Sequence, residues 1–303
     1  MASRYSRPGS DVVASPQTPV GADRRLSPAA DGPETVLKPP TRWAGLELLD
    51  LWRYRELVYI LAWRDVKVRY KQAVLGFGWT VIQPLMLMAL FTFMFTRITT
   101  LTVPGNVPYP VFAFTGLLPW TLFANVVGSS AASVVANANM VSRVYFPRLT
   151  IPVGAVVART PDFLINSVLL FAIMGIYGVA LPTRALLLPV IMAASMLAAA
   201  SIGIWLSALN VAYRDMVYLT PFLTQVWLFI TPVAYPSSAV PGSLRWLTAS
   251  NPMSWVINVS RWALLGSSIP VAVTLASAGT MCIALVGGLV YFRRVEHFFA
   301  DVI

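Results

Sequence analysis

Charge is missing from this chain in long, separate stretches. Residues 72–96, 98–142, 163–183, 185–213, 216–244 and 262–292 contain no Asp, Glu, Lys or Arg. A helix that crosses a bilayer takes roughly 20 mostly apolar residues, and each window is long enough to hold one. A soluble domain carries about a quarter charged residues; here 11% are charged and 57% hydrophobic. The expected fold class is therefore an all-α polytopic membrane protein.

Six spans are predicted, over 74–97, 109–135, 152–180, 185–209, 216–235 and 269–292. Before them, residues 1–42 hold seven prolines and few large apolar side chains. Such a segment cannot bury enough surface to offset its ordering entropy, and it reads as a disordered cytoplasmic tail. It has no apolar core of the kind a signal peptide needs. Residues 44–62 mix Leu48, Leu49, Trp52 and Tyr59 with Glu47, Asp50, Arg53, Arg55 and Glu56. That is too charged to span and fits an interfacial amphipathic helix, with Trp52 and Trp63 at headgroup depth. It opens a membrane-proximal segment, 43–73, that leads into a six-span domain over 74–303. Between the fifth and sixth spans, residues 236–262 are apolar but broken by Pro236, Pro241, Gly242 and Pro252. They are predicted to form a re-entrant pair of short helices, since non-helical backbone at membrane depth must be buried in protein or line a cavity.

The net charge of +10 does not point to nucleic acid, because the cations sit in the tail and beside the spans rather than on one ordered face. With the N-terminus inside, eleven flanking cations lie on the cytoplasmic side, among them Arg64, Lys67, Arg69, Lys71, Arg143, Arg148 and Arg214. Four lie outside: Arg97, Arg184, Arg245 and Arg261. The positive-inside rule then places both termini in the cytoplasm. Ser195, Ala199, Gly203 and Ser207 recur at four-residue steps and offer a small face for close helix approach. That face serves equally for packing within one subunit or between two.

Chemistry is sparse. The lysines are Lys38, Lys67 and Lys71, none follows a glycine, and no P-loop motif exists to cradle phosphates. His297 is the single histidine, so neither a His-based metal site nor a catalytic triad has its parts. One cysteine, Cys282, cannot form an internal disulfide. After Asp65 the acids are Asp162, Asp215, Glu296 and Asp301. Arg159 and Asp162, three residues apart, share a helix face and read as a self-neutralising pair inside the third span. Two short loops remain, NANMVSRVYFPRLT (137–150) and NVAYRD (210–215), where something could dock.

At these residues the chain resembles the membrane subunit of type-2 ABC exporters for cell-surface polysaccharides. That group includes the O-antigen, teichoic-acid and mycobacterial galactan export permeases. The resemblance rests on the order and spacing of LAWRDVKVRYKQAVLGFGWTVIQPL (61–85), FTGLLPWTLFANVV (114–127), NANMVSRVYFPR (137–148), LNVAYRD (209–215), TPVAYP (231–236), NPMSWVINVSRWALLG (251–266) and FFADVI (298–303). It implies a homodimer in the plasma (inner) membrane with two copies of a separate ABC ATPase. ATP and Mg would bind that partner, with no cofactor in this chain. The cargo would be a polyprenyl-pyrophosphate-linked glycan, galactan being one candidate, or a teichoic-acid polymer. The loop 137–150 would be a coupling helix against the ATPase, through Asn139, Arg143, Tyr145, Phe146, Pro147 and Arg148, with Arg214 and Asp215 beside it. Family members often carry a glutamate after the FPR; here Leu149 stands there, and the preceding basic pair is reduced to Ser142-Arg143.

The first and fifth spans would line the channel. Trp79 and Gln83, four apart, share a face, as do Phe91 and Phe95; Trp227 and Phe229 are the counterparts in span five. Aromatic faces stack on sugar rings without demanding a fixed hydroxyl pattern, and Pro84 would bend the first span. Arg64, Lys67, Arg69 and Lys71 would hold the pyrophosphate headgroup, although plain topology explains them too. The competing readings are an exporter of a lipid or drug, a membrane-embedded glycosyltransferase, which would need converging carboxylates, and a passive channel.

Overall fold

The computed structural model describes residues 48–71, 74–98, 107–213 and 215–299. The expected tail over 1–42 lies outside the described residues, as do Arg214 and the last part of FFADVI. The described residues are helical, with no strand among them. The order is α1 (Leu48–Arg53), α2 (Arg55–Lys71), α3 (Val74–Phe93, continued by a π-helical turn Met94–Ile98), α4 (Tyr109–Ala136), α5 (Ala138–Arg143), α6 (Thr150–Val157), α7 (Thr160–Ile176), α8 (Leu188–Ala212), α9 (Met216–Ile230), α10 (Arg245–Ala249), α11 (Ser254–Leu265) and α12 (Val271–Val295).

Five stretches are long and apolar enough to cross a membrane: Gly78–Arg97, Tyr109–Ala136, Thr150–Ile176, Thr183–Ala212 and Val271–Phe298. They make this an integral membrane protein. The predicted span over 216–235 is a helix of 15 residues, about 22 Å at 1.5 Å per residue, short of the ~30 Å hydrocarbon core. Its early end has a local cause. A residue before proline is pushed out of the α region, and Thr231, before Pro232, is extended at φ −82°, ψ 136°. The predicted span over 152–180 is likewise divided, between Val157 and Thr160, just ahead of Pro161, whose missing N–H suits the first turn of α7. α3, in contrast, runs unbroken through Pro84.

α4 is the central helix. Its side chains from Val111 to Phe123 are nearly all buried, and α8, α6, α11, α3, α7 and α9 pack around it. The small face of α8 is the seam to α4 within this subunit: Ser195, Ala199 and Ser207 are fully buried. A Cβ on Gly203 would stand 2.8 Å from the Ser130 side chain, so only glycine allows that approach. Asn210 Nδ2 donates across the same seam to the Ala131 carbonyl at 2.9 Å.

α3 and α9 differ from α4. Trp79, Met86, Leu90 and Phe93 of α3 and Tyr218, Phe222 and Phe229 of α9 are exposed. Within α2, Leu61 and Ala62 are buried, and a Cβ on Gly154 of α6 would meet Leu61 Cβ at 3.1 Å. Tyr59, Ile60 and Trp63, interleaved with them, are exposed. The apolar residues of α2 thus serve two surfaces rather than one stripe.

Candidate functional site

The loop after α4 has an anchored back and a bare front. Asn137 ends α4 at φ −109°, ψ 24° and ties its side chain to the Ser133 carbonyl at 2.8 Å. The chain then makes α5, ended by Val144 in an extended conformation, and a turn closed by Thr150, whose N–H and hydroxyl both donate to the Pro147 carbonyl. Val141, Phe146 and Leu149 point inward. They join a buried cluster with Leu61, Ile151, Ile204, Phe292 and Phe299. Phe292 and Phe299 meet edge to face, centroids 5.3 Å apart. Arg148 donates to the Glu296 carbonyl, joining the loop to the end of α12.

These contacts divide the expected interface residues. Asn139, Arg143 and Tyr145 are exposed, with Tyr145 83% accessible, and Pro147 is half-buried. Asp215 is exposed at the start of α9. Phe146 and Arg148 do not match an outward-facing role: one is packed in the core and the other is engaged by this chain's own backbone. The packing explains it: Phe146 enters the cluster with Leu61, Ile204 and Phe292, while its neighbour Tyr145 is left outside it. Buried Leu149 occupies, as part of the core, the position where a glutamate was expected in relatives.

Behind the loop lies a charged node. Asp162 is 3% exposed. It accepts from Tyr70 Oη at 2.5 Å, Arg69 Nη1 at 3.2 Å and Arg159 Nη1 at 3.2 Å. Arg159 Nε also donates to Ser129 Oγ at 3.3 Å, and Arg69 to the Ala158 carbonyl at 3.4 Å. Burial first, and then the bond to Asp162, push the Tyr70 hydroxyl up to about 12, so it stays a donor at neutral pH. The Arg159–Asp162 pair is therefore not self-contained, as the sequence suggested. It is a four-residue latch that holds the end of α2 on the break between α6 and α7.

That latch changes the set expected to hold an anionic headgroup. Arg69 is committed to Asp162, Arg64 pairs with Asp65 at 2.9 Å, and Lys67 lies 5.4 Å over the Trp63 ring. Lys71 is exposed. The expected channel residues separate similarly. Trp79, Gln83 and Phe229 are exposed. Phe91 is buried in the subunit core, Phe95 stacks on Tyr109 at 5.7 Å, and Trp227 meets Phe123 edge to face at 5.5 Å. Phe91 does not line an open surface of this subunit; its side of α3 faces α4.

The opposite end of the bundle holds Arg261, which sequence reasoning treated as a flanking cation. It is 4% exposed. Its Nη2 donates to the Val233 carbonyl at 2.6 Å and its Nη1 to the Tyr235 carbonyl at 3.0 Å, while its guanidinium sits 3.9 Å from the Phe112 ring centroid. The prolines at 232 and 236 stop α9 and leave these carbonyls without helical donors; Arg261 supplies them. A Cβ on Gly116 would stand 2.7 Å from the Val233 oxygen, so α4 must carry glycine there. The segment 236–262 forms two 3₁₀ turns, Ser237–Ala239 and Gly242–Leu244, then α10 and α11. Ser237 Oγ donates to Asn258 Oδ1 at 2.8 Å, and Asn251 Nδ2 to Thr231 Oγ1 at 2.7 Å, knitting it to the end of α9.

Residues 56–265 match the ABC-2 type transporter family. The chain is 31% identical over 206 residues to the O-antigen export system permease protein RfbA of Myxococcus xanthus, covering 67% of this chain and 78% of that protein. It is 27% identical over 250 residues to RfbA of Klebsiella pneumoniae, 82% and 95% of the two chains. It is 24% identical over 244 residues to the polysialic acid transport protein KpsM of Escherichia coli, 77% and 91%. A match over more than half the chain, together with five apolar helices of spanning length, makes this protein a member of the ABC-2 type transporter family.

Proposed function

We propose that this chain is the permease subunit of a polysaccharide exporter, driven by a separate ATP-hydrolysing subunit that docks on the loop 137–150. Its relatives are named for O-antigen and polysialic acid transport. The observation that carries the docking is the loop itself: Tyr145 and Arg143 stand bare while Phe146, Leu149 and Arg148 clamp the loop from behind. A lever must be stiff to transmit force, and this one is packed like a core. Exposed Asp215 extends the surface.

In this reading α9, extended by Thr231–Tyr235, is the fifth of six spans, both termini are cytoplasmic, 236–262 re-enters from outside, and α2 lies along the inner interface. Two copies meet through the open faces of α3 and α9, with Trp79, Gln83 and Phe229 toward the glycan path. The cargo is carried on polyprenyl pyrophosphate, galactan being one candidate, and Lys71 and Lys67 remain to meet its headgroup.

Purification of the tagged chain in mild detergent tests this. A stoichiometric ATP-hydrolysing subunit is expected, with ATPase activity that depends on the chain and is lost in Tyr145→Ala. A chain that purifies alone, with no ATPase under gentle conditions, would overturn it.

A further inference from the structure

Arg261 also borders a cavity of about 430 Å³, a size suited to a small polar ligand. Arg245, Ser237, Thr248, Asn258 and Ser267 line it together with the start of α12. No Asp or Glu is among the lining residues. None occurs anywhere from 216 to 295, and the acids that follow Glu56 are Asp65, Asp162, Asp215, Glu296 and Asp301. Two cations therefore share one cavity wall without a carboxylate. Arg261 spends its two Nη groups on carbonyls, but its buried Nε–H meets no acceptor. The Arg245 guanidinium is exposed and has no ion pair among the described residues. A buried unpaired donor is rare in folded proteins and calls for a ligand or water. Arg245 keeps its charge in water, so what the cavity leaves open is the Arg261 Nε–H and an Arg245 head free to turn toward an anion.

We propose that this cavity binds an anionic group, a phosphate or a carboxylate, between Arg245 and Arg261, with the Ser, Thr and Asn side chains accepting or donating to its neighbouring hydroxyls. Guanidinium groups favour such oxyanions through paired, charge-assisted bonds. The placement rests on the export reading for its orientation, which sets the cavity on the outer side. Two sources offer that chemistry there: an acidic substituent of the glycan leaving the exporter, and the phosphate of an outer-leaflet lipid.

Binding is measured on the purified protein in phosphatidylcholine nanodiscs. One arm adds phosphatidylglycerol and reads lipid retention by native mass spectrometry. The other titrates methyl glucuronide against methyl glucoside by calorimetry. At least one acidic probe is expected to bind in preference to its neutral counterpart. Arg245→Gln should weaken that binding tenfold or more, and Arg245→Lys should weaken it less. Arg245 is exposed, so both variants are expected to keep the parent elution profile and Tm. Retention of phosphatidylglycerol assigns the site to lipid, and glucuronide binding assigns it to cargo. No preference for either acid, or undiminished binding in Arg245→Gln, would overturn the proposal. The measurement needs only this chain, so failure to recover an ATPase subunit would end the export reading without touching this result.

Discussion

Two arginine sites lie at opposite ends of this bundle, one half-buried and one buried, and they are satisfied in different ways. At one end Arg159 shares the carboxylate of Asp162 with Arg69 and Tyr70. At the other Arg261 has no carboxylate and leans on the Val233 and Tyr235 carbonyls and the Phe112 face. The first site joins elements distant in sequence through one shared acid, so it fails as a unit when the acid goes. The second repairs a helix that prolines have ended, so it depends on backbone shape. A charge buried among apolar helices must find a partner, but the partner decides what else breaks with it.

The largest effect is expected at the shared acid. Asp162→Ala leaves two guanidiniums facing each other; removal of one partner from a fully buried ion pair costs about 3–5 kcal/mol, and the partial exposure of both arginines makes the loss here smaller, about 2–3 kcal/mol. A sharp fall in folded yield and in Tm by detergent thermal-shift assay is expected; a parent-like Tm would break the contrast between the two ends. Adding Arg159→Leu should recover only part, because Arg69 still lacks its acid. Full recovery would mean the Arg159–Asp162 pair stands alone.

Next comes Gly116→Ala, which forces a Cβ onto the Val233 carbonyl and disturbs Arg261 from the backbone side. Overpacking of this kind costs about 1–3 kcal/mol, read in the same assay. Gly279→Ala, with nothing within 4 Å of the new Cβ, is its matched control and should not lower Tm. Arg69→Gln should cost about 1 kcal/mol, because the pair is partly screened by water. A loss equal to that of Asp162→Ala would show that α2, and not Arg159, carries the latch. Smallest in stability is Tyr145→Ala, within about 0.5 kcal/mol, although under the proposed function it abolishes stimulated ATPase. A large fall in Tm there would show that the loop's outer face is structural.

Much of the helical layout was legible in the spacing of charge. The windows 98–142 and 185–213 contain α4 and α8, and 262–292 contains all of α12 but its last turn, where Arg293 and Arg294 stand, because the membrane-crossing part of a span must be free of charge. The small face of α8 was legible as well, although its partner was not: Gly203 gives no hint that Ser130 is what it approaches. The shortening of α9 was written in Pro232 and Pro236, but hydropathy extends across them and masks the break. Long-range pairing was invisible. Nothing local links Arg69 to an acid 93 positions on, so it read as a free surface cation. Arg261 read as a flank for the same reason, its acceptors being carbonyls that carry no sequence signature. At the candidate docking loop the residue types were legible, and their facing was not. Tyr145 and Phe146 are chemically alike, and which one is buried depends on the cluster formed by α2, α8 and α12.

The tie between that loop and α12 sets an order of assembly. Phe146 leaves the ribosome long before Phe292 and Phe299, yet it packs in the same cluster, and Arg148 waits for the Glu296 carbonyl. Synthesis proceeds from the N-terminus, and early segments hold incomplete packing until later ones arrive. The loop after α4 therefore gains its full backing only once α12 has been made and inserted. Under the proposed function, a partially synthesised subunit has no firm platform to offer, and completion of the bundle doubles as a licence for partner recruitment.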